Sequence, residues 1–457
     1  MSASSSRPSY AALFRIPHAR RTFVAAMTGR LSYGVVSLAM MLTTVRATGS
    51  YAVAGTVMAL FGAMSVFLSP ARAALIDGYG ARRALIPMAS LYAGLLTAFA
   101  ATAWRPGAPV PAIGALAAAA GACTPPLGPT MRAVWGEVVQ DERLLRRAYS
   151  LDGVVEEILF VSGPLLVGAV GQAAPPAAAV ALSALLVWSG TLAFVLSPVV
   201  AGVRPAAAKA ARGGRRLRGG RALVQPVVVA LGVGLSLGAV DLLVMAFAGQ
   251  HHHGVGVVAW VLAALSLGSA LGGLLNGAVD WRTAPGVRLP LLAGALGLTL
   301  LAAGLAPGLG ALTVAVACAG FFVAPALTTS YLMADTAAPP GFRTQAGAWV
   351  NTAVNAGSSG GAAGAGLLVG RLPLGLCFAL SGTLALAAAL VCVRNARTPR
   401  PDADAGHRAA GAHAPPRRTA RNSPASATAC RAAPAGARRS AAATCAGPPA
   451  PPVTPGR

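Results

Sequence analysis

The chain is short of charge. Only 11% of its 457 residues are charged, and only 12 are acidic, against roughly 25% charged residues in a typical soluble domain. That excludes an ordinary water-soluble fold. The six cysteines (Cys123, Cys318, Cys377, Cys392, Cys430 and Cys445) show no CxxC or Cys/His spacing, so neither a metal site nor a disulfide framework is implied. A phosphate-cradling glycine loop ending in Lys and Ser or Thr is missing too, which argues against ATP-driven work by this chain. What is abundant is apolar: 55% hydrophobic residues and 55 glycines. Such a composition excludes disorder throughout and points to helices packed closely in lipid, where glycine is tolerated.

The net charge of +24 raises the question of nucleic acid, and the placement of the basic residues answers it. Arg204, Lys209, Arg212, Arg215, Arg216, Arg218 and Arg221 form one acid-free stretch, and a second basic segment runs from Arg394 to the end against only Asp402 and Asp404. Most of the excess is therefore confined to two non-spanning segments, and no nucleic-acid partner is expected. The second, 395–457, is rich in Ala, Pro, Arg, Ser and Gly and reads as a disordered basic cytoplasmic tail.

A membrane helix needs about 20 apolar residues. Runs of that kind fall at 22–46, 52–76, 84–103, 110–131, 151–172, 177–200, 224–248, 255–276, 287–306, 309–333, 346–369 and 374–393. The first follows Arg15, Arg20 and Arg21 without a convincing cleavage site and reads as an uncleaved span. Positive residues flank alternate loops: Arg72, Arg82 and Arg83, then Arg132, Arg143, Arg146 and Arg147, then the 201–223 loop, Arg282, Arg288 and Arg343. The positive-inside bias places these, and both termini, in the cytoplasm of a plasma-membrane protein. The expected fold is all-α and integral to the membrane, with twelve transmembrane helices in two pseudo-symmetric six-helix bundles. Its parts are a cytoplasmic segment 1–21, bundles 22–200 and 224–394, the basic loop 201–223 and the tail 395–457.

The two halves share register. Pro126 in TPPLGPTM aligns with Pro325 in VAPALTTS, and Ser162-Gly163 aligns with Gly360-Gly361, which sets Glu157 opposite Asn355 and Gly153 opposite Asn351. Repeated halves with a site between them near mid-membrane are a recurring transporter design.

The loop after the second span reads Ala73-Ala-Leu75-Ile-Asp77-Gly78-Tyr79-Gly80-Ala81-Arg82-Arg83-Ala-Leu85. It resembles the loop signature of the major facilitator superfamily, in its twelve-span efflux type, at Leu75, Asp77, Gly80, Arg82 and Leu85, and departs from it at Ala73, Gly78 and Ala81. The resemblance implies a cytoplasmic gate: Gly80 permits a tight turn, Asp77 accepts from helix N-terminal amides or an arginine, and Arg82 bridges to the other bundle. In the fifth span Gly163-Pro164 resembles the Gly-Pro motif of drug/proton antiporters, with Pro164 expected to kink the helix as Pro126 and Pro325 do in theirs. The fourth-span arginine frequent in those antiporters is absent from 112–129.

An ionisable group inside a bilayer costs about 2.5–3.5 kcal/mol on insertion scales, so the few present become candidates for mechanism. Arg30, Glu156 and Glu157 lie at comparable depth, and Arg30 is expected to pair with Glu157, either as a bond remade during transport or as a static support. Two adjacent glutamates do not share a helix face, so one is expected to reach the cytoplasmic interface. Asp241 has no basic residue near it in sequence and suits proton coupling or a capping role. Asn351 and Asn355, one turn apart with Ser358 beyond, suit a cavity wall or interhelical hydrogen bonding. His251-His252-His253 lacks an accompanying acid or cysteine, so no metal site is expected.

The reading is of a secondary transporter working by alternating access, with proton-coupled export of a small amphipathic molecule, a drug or secondary metabolite, as the expected activity. Alternatives are an uptake permease for a small solute and a non-transporting membrane sensor or assembly protein on the same fold. Its expected partners are a small-molecule substrate, protons and the lipid bilayer; it needs no cofactor and works as a monomer.

Overall fold

A computed structural model describes residues 10–202, 221–252, 255–339 and 341–397. The tail beyond 397, most of the 201–223 loop, residues 1–9 and His253 lie outside the described residues. The first half comprises α1 (Tyr10–Leu13), α2 (Ala19–Thr48), α3 (Tyr51–Phe67), α4 (Ser69–Tyr79), α5 (Ala81–Thr102), α6 (Val110–Cys123), α7 (Leu127–Val138), α8 (Glu142–Gly171), α9 (Pro176–Val195) and α10 (Pro198–Gly202). The second comprises α11 (Arg221–Gln250), α12 (Val255–Ala278), α13 (Pro285–Ala303), α14 (Leu309–Ala337), α15 (Arg343–Leu368) and α16 (Leu374–Arg397).

Among the described residues there are ten helical segments long and apolar enough to cross a membrane, α6 and α7 counting together, and the bent pair α3 and α4 makes an eleventh. The expected segment 346–369 is helical as α15 but is not among these, because Asn351, Thr352, Asn355, Ser358 and Ser359 interrupt its apolar character. Asn351, Asn355 and Ser358 line an internal cavity.

Local chemistry sets the boundaries. Ser50 accepts from the Val53 amide to start α3, and Asp141 accepts from the Arg143 amide at 2.8 Å to start α8. Proline occupies the first turn of α4, α6, α9 and α13, where its missing amide costs nothing. The three prolines expected to kink helices behave differently. Pro164 and Pro325 sit inside the unbroken α8 and α14, whereas Pro126 caps α7 after a break that separates it from α6. One side chain holds both this break and the α3–α4 bend. Buried Arg72 donates to the carbonyls of Gly121 and Ala122 at 2.7 and 2.9 Å, at the end of α6, and to that of Ser65 near the α3–α4 bend of 41°.

Within each half the helices meet backbone to backbone. A Cβ on Gly163 would lie 2.3 Å from the Gly34 carbonyl carbon, joining α8 to α2, and a Cβ on Gly238 would lie 1.8 Å from the Ser358 oxygen, joining α11 to α15. A Cβ on Gly361 would meet the Leu235 oxygen at 1.9 Å. The Ser162-Gly163 and Gly360-Gly361 pairs aligned by sequence thus occupy corresponding helix contacts in the two halves. In lipid, where apolar burial drives little association, such close approach is the main source of packing energy.

Introducing Val at Gly163 or Gly238 is expected to lower the thermal unfolding temperature of the detergent-solubilised protein by the equivalent of about 1–3 kcal/mol or more. Gly78→Ala, at a helical position with open space around it, should leave it unchanged or slightly raised; equal effects at all three positions would contradict this packing.

Candidate functional site

A cavity of about 660 Å³ lies between the two halves. Its walls mix apolar residues, Val36, Phe61, Phe160, Leu237 and Val323 among them, with about as many polar and charged ones. Arg30, Glu156, Glu157, Asp241, Asn351 and Asn355 all line it. The two register-matched pairs, Gly153 with Asn351 and Glu157 with Asn355, face this one space from opposite halves.

At its edge sits a four-charge cluster. Arg30 of α2 donates through Nη1 to Asp152 Oδ1 at 2.6 Å and lies 2.8 Å through Nη2 from Glu156 Oε2. Arg132 of α7 reaches Asp152 Oδ2 with Nε at 2.8 Å and Glu156 Oε2 with Nη2 at 2.6 Å. Two cations and two anions alternate around a ring with no net charge. The Asp152 side chain is 0% exposed and that of Arg30 is 2% exposed, while Glu156 keeps 31% toward the cavity. Asp152 and Glu156 lie one turn apart on α8, so two like charges share a helix face. Only two cations brought from α2 and α7 make that face tolerable inside the membrane.

This corrects the expected pairing of Arg30 with Glu157. Arg30 is taken by Asp152 and Glu156, and Glu157 projects from the neighbouring face of α8 toward the second half, where Ser269 of α12 donates to its Oε1 at 3.0 Å. Neither glutamate escapes to the interface; both line the cavity. Glu157 lacks an ion-pair partner among the described residues. Asp241 of α11 is exposed to the cavity without a hydrogen bond or ion pair among the described residues, within electrostatic reach of Glu157. The cavity thus presents two uncompensated carboxyl groups, one from each half.

The remaining polar lining belongs to both halves as well. Tyr331 of α14 donates to Asn351 Oδ1 at 3.3 Å, and the Arg132 guanidinium stacks 3.8 Å from the Tyr331 ring centroid, tying the charge cluster to the second half. Asn355 Nδ2 donates to the Asn351 carbonyl at 2.8 Å. Tyr33 donates to the Pro125 carbonyl at the α6–α7 break, so the Pro126 interruption opens onto the cavity.

One end of the molecule is shut by helix ends. Asp77 of α4 accepts from the Thr344 and Gln345 amides at 3.2 and 2.8 Å, capping α15 in place of Phe342, whose side chain makes no cap. A carboxylate on a helix N-terminus satisfies orphan amides and complements the dipole. Gly80 takes φ 87°, ψ 151°, a conformation open essentially to glycine alone, and turns α4 into α5. Arg82 departs from its expected bridging role: it is exposed and makes no ion pair among the described residues. Its place is taken by Arg343, 3.3 Å from Glu137 of α7 and 3.7 Å from Asp335 of α14. The loop basic residue Arg82 is long and solvated, while Arg343 is held in the first turn of α15 beside two acids. The bonds between the halves made by Tyr10, Arg143, Glu157, Asp77, Thr352 and Arg343 fall at cavity level or at this end.

Reading along the sequence missed Asp152 and Arg132. Arg132 falls just beyond the apolar run that ends at 131, and Asp152 is the second residue of the run that begins at 151, so hydropathy marks neither as an interior charge. The signal available was the spacing of Asp152 and Glu156, which demands two cations at one depth. Elsewhere, His251 stacks on Phe247 with ring centroids 4.2 Å apart.

The described architecture is that of a polytopic helical membrane protein. The sequence profile of the Major Facilitator Superfamily matches residues 226–437, while no curated protein matches in sequence. Among solved structures, a bacterial homologue of the iron transporter ferroportin in its outward-facing state aligns at 13% identity and TM-score 0.64, over 83% of this chain and 99% of that one. The human organic anion transporter TETRAN aligns at 16% identity and TM-score 0.63, over 82% and 99%. The proton:xylose symporter XylE, of the major facilitator superfamily, aligns at 14% identity and TM-score 0.59, over 82% and 95%. The chain therefore has the fold of these proteins and is a multi-pass membrane protein. The similarity is to transporters and not to enzymes.

Removing one carboxylate from the ring leaves buried guanidinium charge unpaired. Asp152→Asn is expected to destabilise by about 3–5 kcal/mol, whereas adding Arg30→Gln to it should recover part of that loss because Arg132 and Glu156 then form a neutral pair. Equilibrium unfolding of the two single variants and the double one measures this coupling; strictly additive losses would contradict the ring.

Proposed function

We propose that the chain is a secondary transporter of the major facilitator superfamily, with twelve spans in two six-helix bundles that rock about the central cavity in the plasma membrane. Each bundle is a unit, 22–200 and 224–394, and the bonds around Asp77 form a gate made in one state and broken in the other. With the Asp77 end cytoplasmic, as the positive-inside bias has it, the described state is open to the outside.

The observation that carries the coupling proposal is the pair of uncompensated carboxyl groups, Glu157 and Asp241, on opposite walls of one cavity. Uncharged or charged, such groups bind and release protons as the cavity's exposure changes, and the neutral ring of Arg30, Arg132, Asp152 and Glu156 stays a fixed support beside them. Protons are thus the coupling ion in this reading. The substrate is proposed to be a small amphipathic molecule, because apolar wall positions such as Phe61, Phe160, Leu237 and Val323 stand beside charged and hydrogen-bonding groups, Asn351 and Asn355 among them. Export rather than uptake rests on the Gly163-Pro164 resemblance to drug/proton antiporters. The chain is proposed to work as a monomer.

In sealed proteoliposomes with an imposed pH gradient, wild-type protein should move at least one of a panel of amphipathic fluorescent dyes, ethidium among them. Glu157→Gln and Asp241→Asn should each reduce gradient-driven movement by roughly 5- to 150-fold, the span of typical coupling energies. Exposed Arg105→Gln should leave it unchanged. If the gradient moves nothing and Glu157→Gln has no effect on proton flux, proton-coupled export is wrong.

A further inference from the structure

The closed end contains a second collection of buried polar groups that the gate does not use. Arg146 and Arg147 project from the first turns of α8, and Arg288 from the first turn of α13; their relative exposures are 7%, 4% and 3%. Cations at helix N-termini oppose the dipole, so the position of all three calls for a compensating negative group. The protein supplies little of one. Arg146 and Arg147 reach the carbonyls of Val279 and Ala278, at the end of α12, at 3.5 and 3.4 Å. Glu142 stands 3.9 Å from Arg146, and Asp280 stands 4.0 Å from Arg147 and 3.4 Å from the exposed Arg143. Both acids are well exposed, and neither faces Arg288 in an ion pair. Among the described residues Arg288 has the Thr329 hydroxyl at 3.3 Å and the Trp281 ring at 5.3 Å.

Several donors here are buried without a hydrogen-bond partner among the described residues: Arg146 Nε, Arg147 Nη1, and Arg288 Nε and Nη1. Both amide atoms of Asn276, the Ser150 hydroxyl and the Ser330 hydroxyl are in the same condition. They belong to one locality. Ser150 packs on Gly277, Trp281 donates to the Asn276 carbonyl at 3.1 Å and lies under Arg288, and Ser330 follows Thr329. Arg146 and Arg288 are near enough to repel one another. Three guanidinium groups, two helix N-termini and a set of unused hydroxyl and amide donors therefore converge where the acids fall short.

We infer that this cluster at the closed end is an anion site, separate from the central cavity, in which Arg146, Arg147 and Arg288 take a phosphate group supplied by a phospholipid headgroup or by free phosphate. The guanidinium forks match phosphate geometry, and α8, α12, α13 and α14 come from both halves, so an anion bound here holds the closed end together. When the halves rock apart the arginines are exposed and the anion leaves or changes partners. The site does not depend on which solute the central cavity carries.

The test uses the full chain, purified in a neutral detergent, with thermal unfolding followed while inorganic phosphate replaces chloride at constant ionic strength. Wild-type protein should be stabilised saturably. Arg288→Gln and Arg147→Gln should each weaken the apparent phosphate affinity by at least about tenfold, as loss of a charged hydrogen-bond donor does, and Arg105→Gln, at the opposite end, should not. If Arg288→Gln does not fold, Arg288→Lys, which keeps charge but loses the fork, should give the same direction of change. A parallel comparison in nanodiscs sets phosphatidylglycerol against phosphatidylcholine. Stabilisation by the anionic lipid that Arg288→Gln or Arg288→Lys removes, with no response to free phosphate, identifies the headgroup as the source; the reverse pattern identifies free phosphate. The inference is overturned if neither phosphate nor phosphatidylglycerol stabilises beyond chloride or phosphatidylcholine, or if the stabilisation survives substitution of both Arg147 and Arg288.

Discussion

The arrangement of this molecule turns on the neutral ring formed by Arg30, Arg132, Asp152 and Glu156. Four charges buried among apolar helices would be prohibitive singly. Closed on one another at 2.6–2.8 Å, they draw α2, α7 and α8 together at one depth and fix the face that α8 presents to the cavity. Because Asp152 and Glu156 are consumed there, Glu157 is left to point across the interface to Ser269 of α12. The ring thus fixes α2, α7 and α8 against one another and decides which carboxyl groups remain available.

The two halves are alike in backbone and unlike in charge. Their helix contacts correspond, with Gly34 against Gly163 in one and Gly238 with Ser358, near Gly361, in the other. Among the described residues the second half has no counterpart of the ring: at the positions aligned with Gly153 and Glu157 it carries Asn351 and Asn355, which hydrogen-bond without charge. One half supplies the ion-paired scaffold and the other the neutral polar wall, with a single acid, Asp241, facing Glu157. At the shut end the logic is of helix termini: Asp77 sits on the N-terminus of α15, and Arg146 and Arg147 sit at the C-terminus of α12. Both contacts cross between halves, and neither needs a long-range ion pair.

Much of this was legible along the chain. The apolar runs located the helices, since period and length need no tertiary knowledge, and the Asp77 loop announced both the tight turn at Gly80 and an acid suited to a helix N-terminus. Register-matched pairs also led to four positions that share the cavity. What stayed hidden depends on rotation about helix axes and on where helices stop. Arg30 found Asp152 rather than Glu157 because the rotation of α8 selects partners, and hydropathy cannot show rotation. Arg132 looked like a loop charge because α7 continues past the apolar run that ends at 131, and Arg72 because it sits near the end of the run 52–76; the fold buries both side chains. Arg82 and Arg343 exchanged roles for the same reason: both are basic loop residues in sequence, and only the fold shows which one faces Glu137.

The central claim is that two rigid halves rock about the cavity, with the bonds around Asp77 made in one state only. Spin labels at Arg82→Cys and Arg282→Cys at the shut end, and in a second sample at Arg105→Cys and His252→Cys at the other, test it by double electron–electron resonance in a background lacking the native cysteines. On acidification the two distance distributions should shift in opposite senses, one widening as the other narrows, and Asp77→Asn should favour the wider distance at its own end. Distances that do not move, or that move together, would contradict the account.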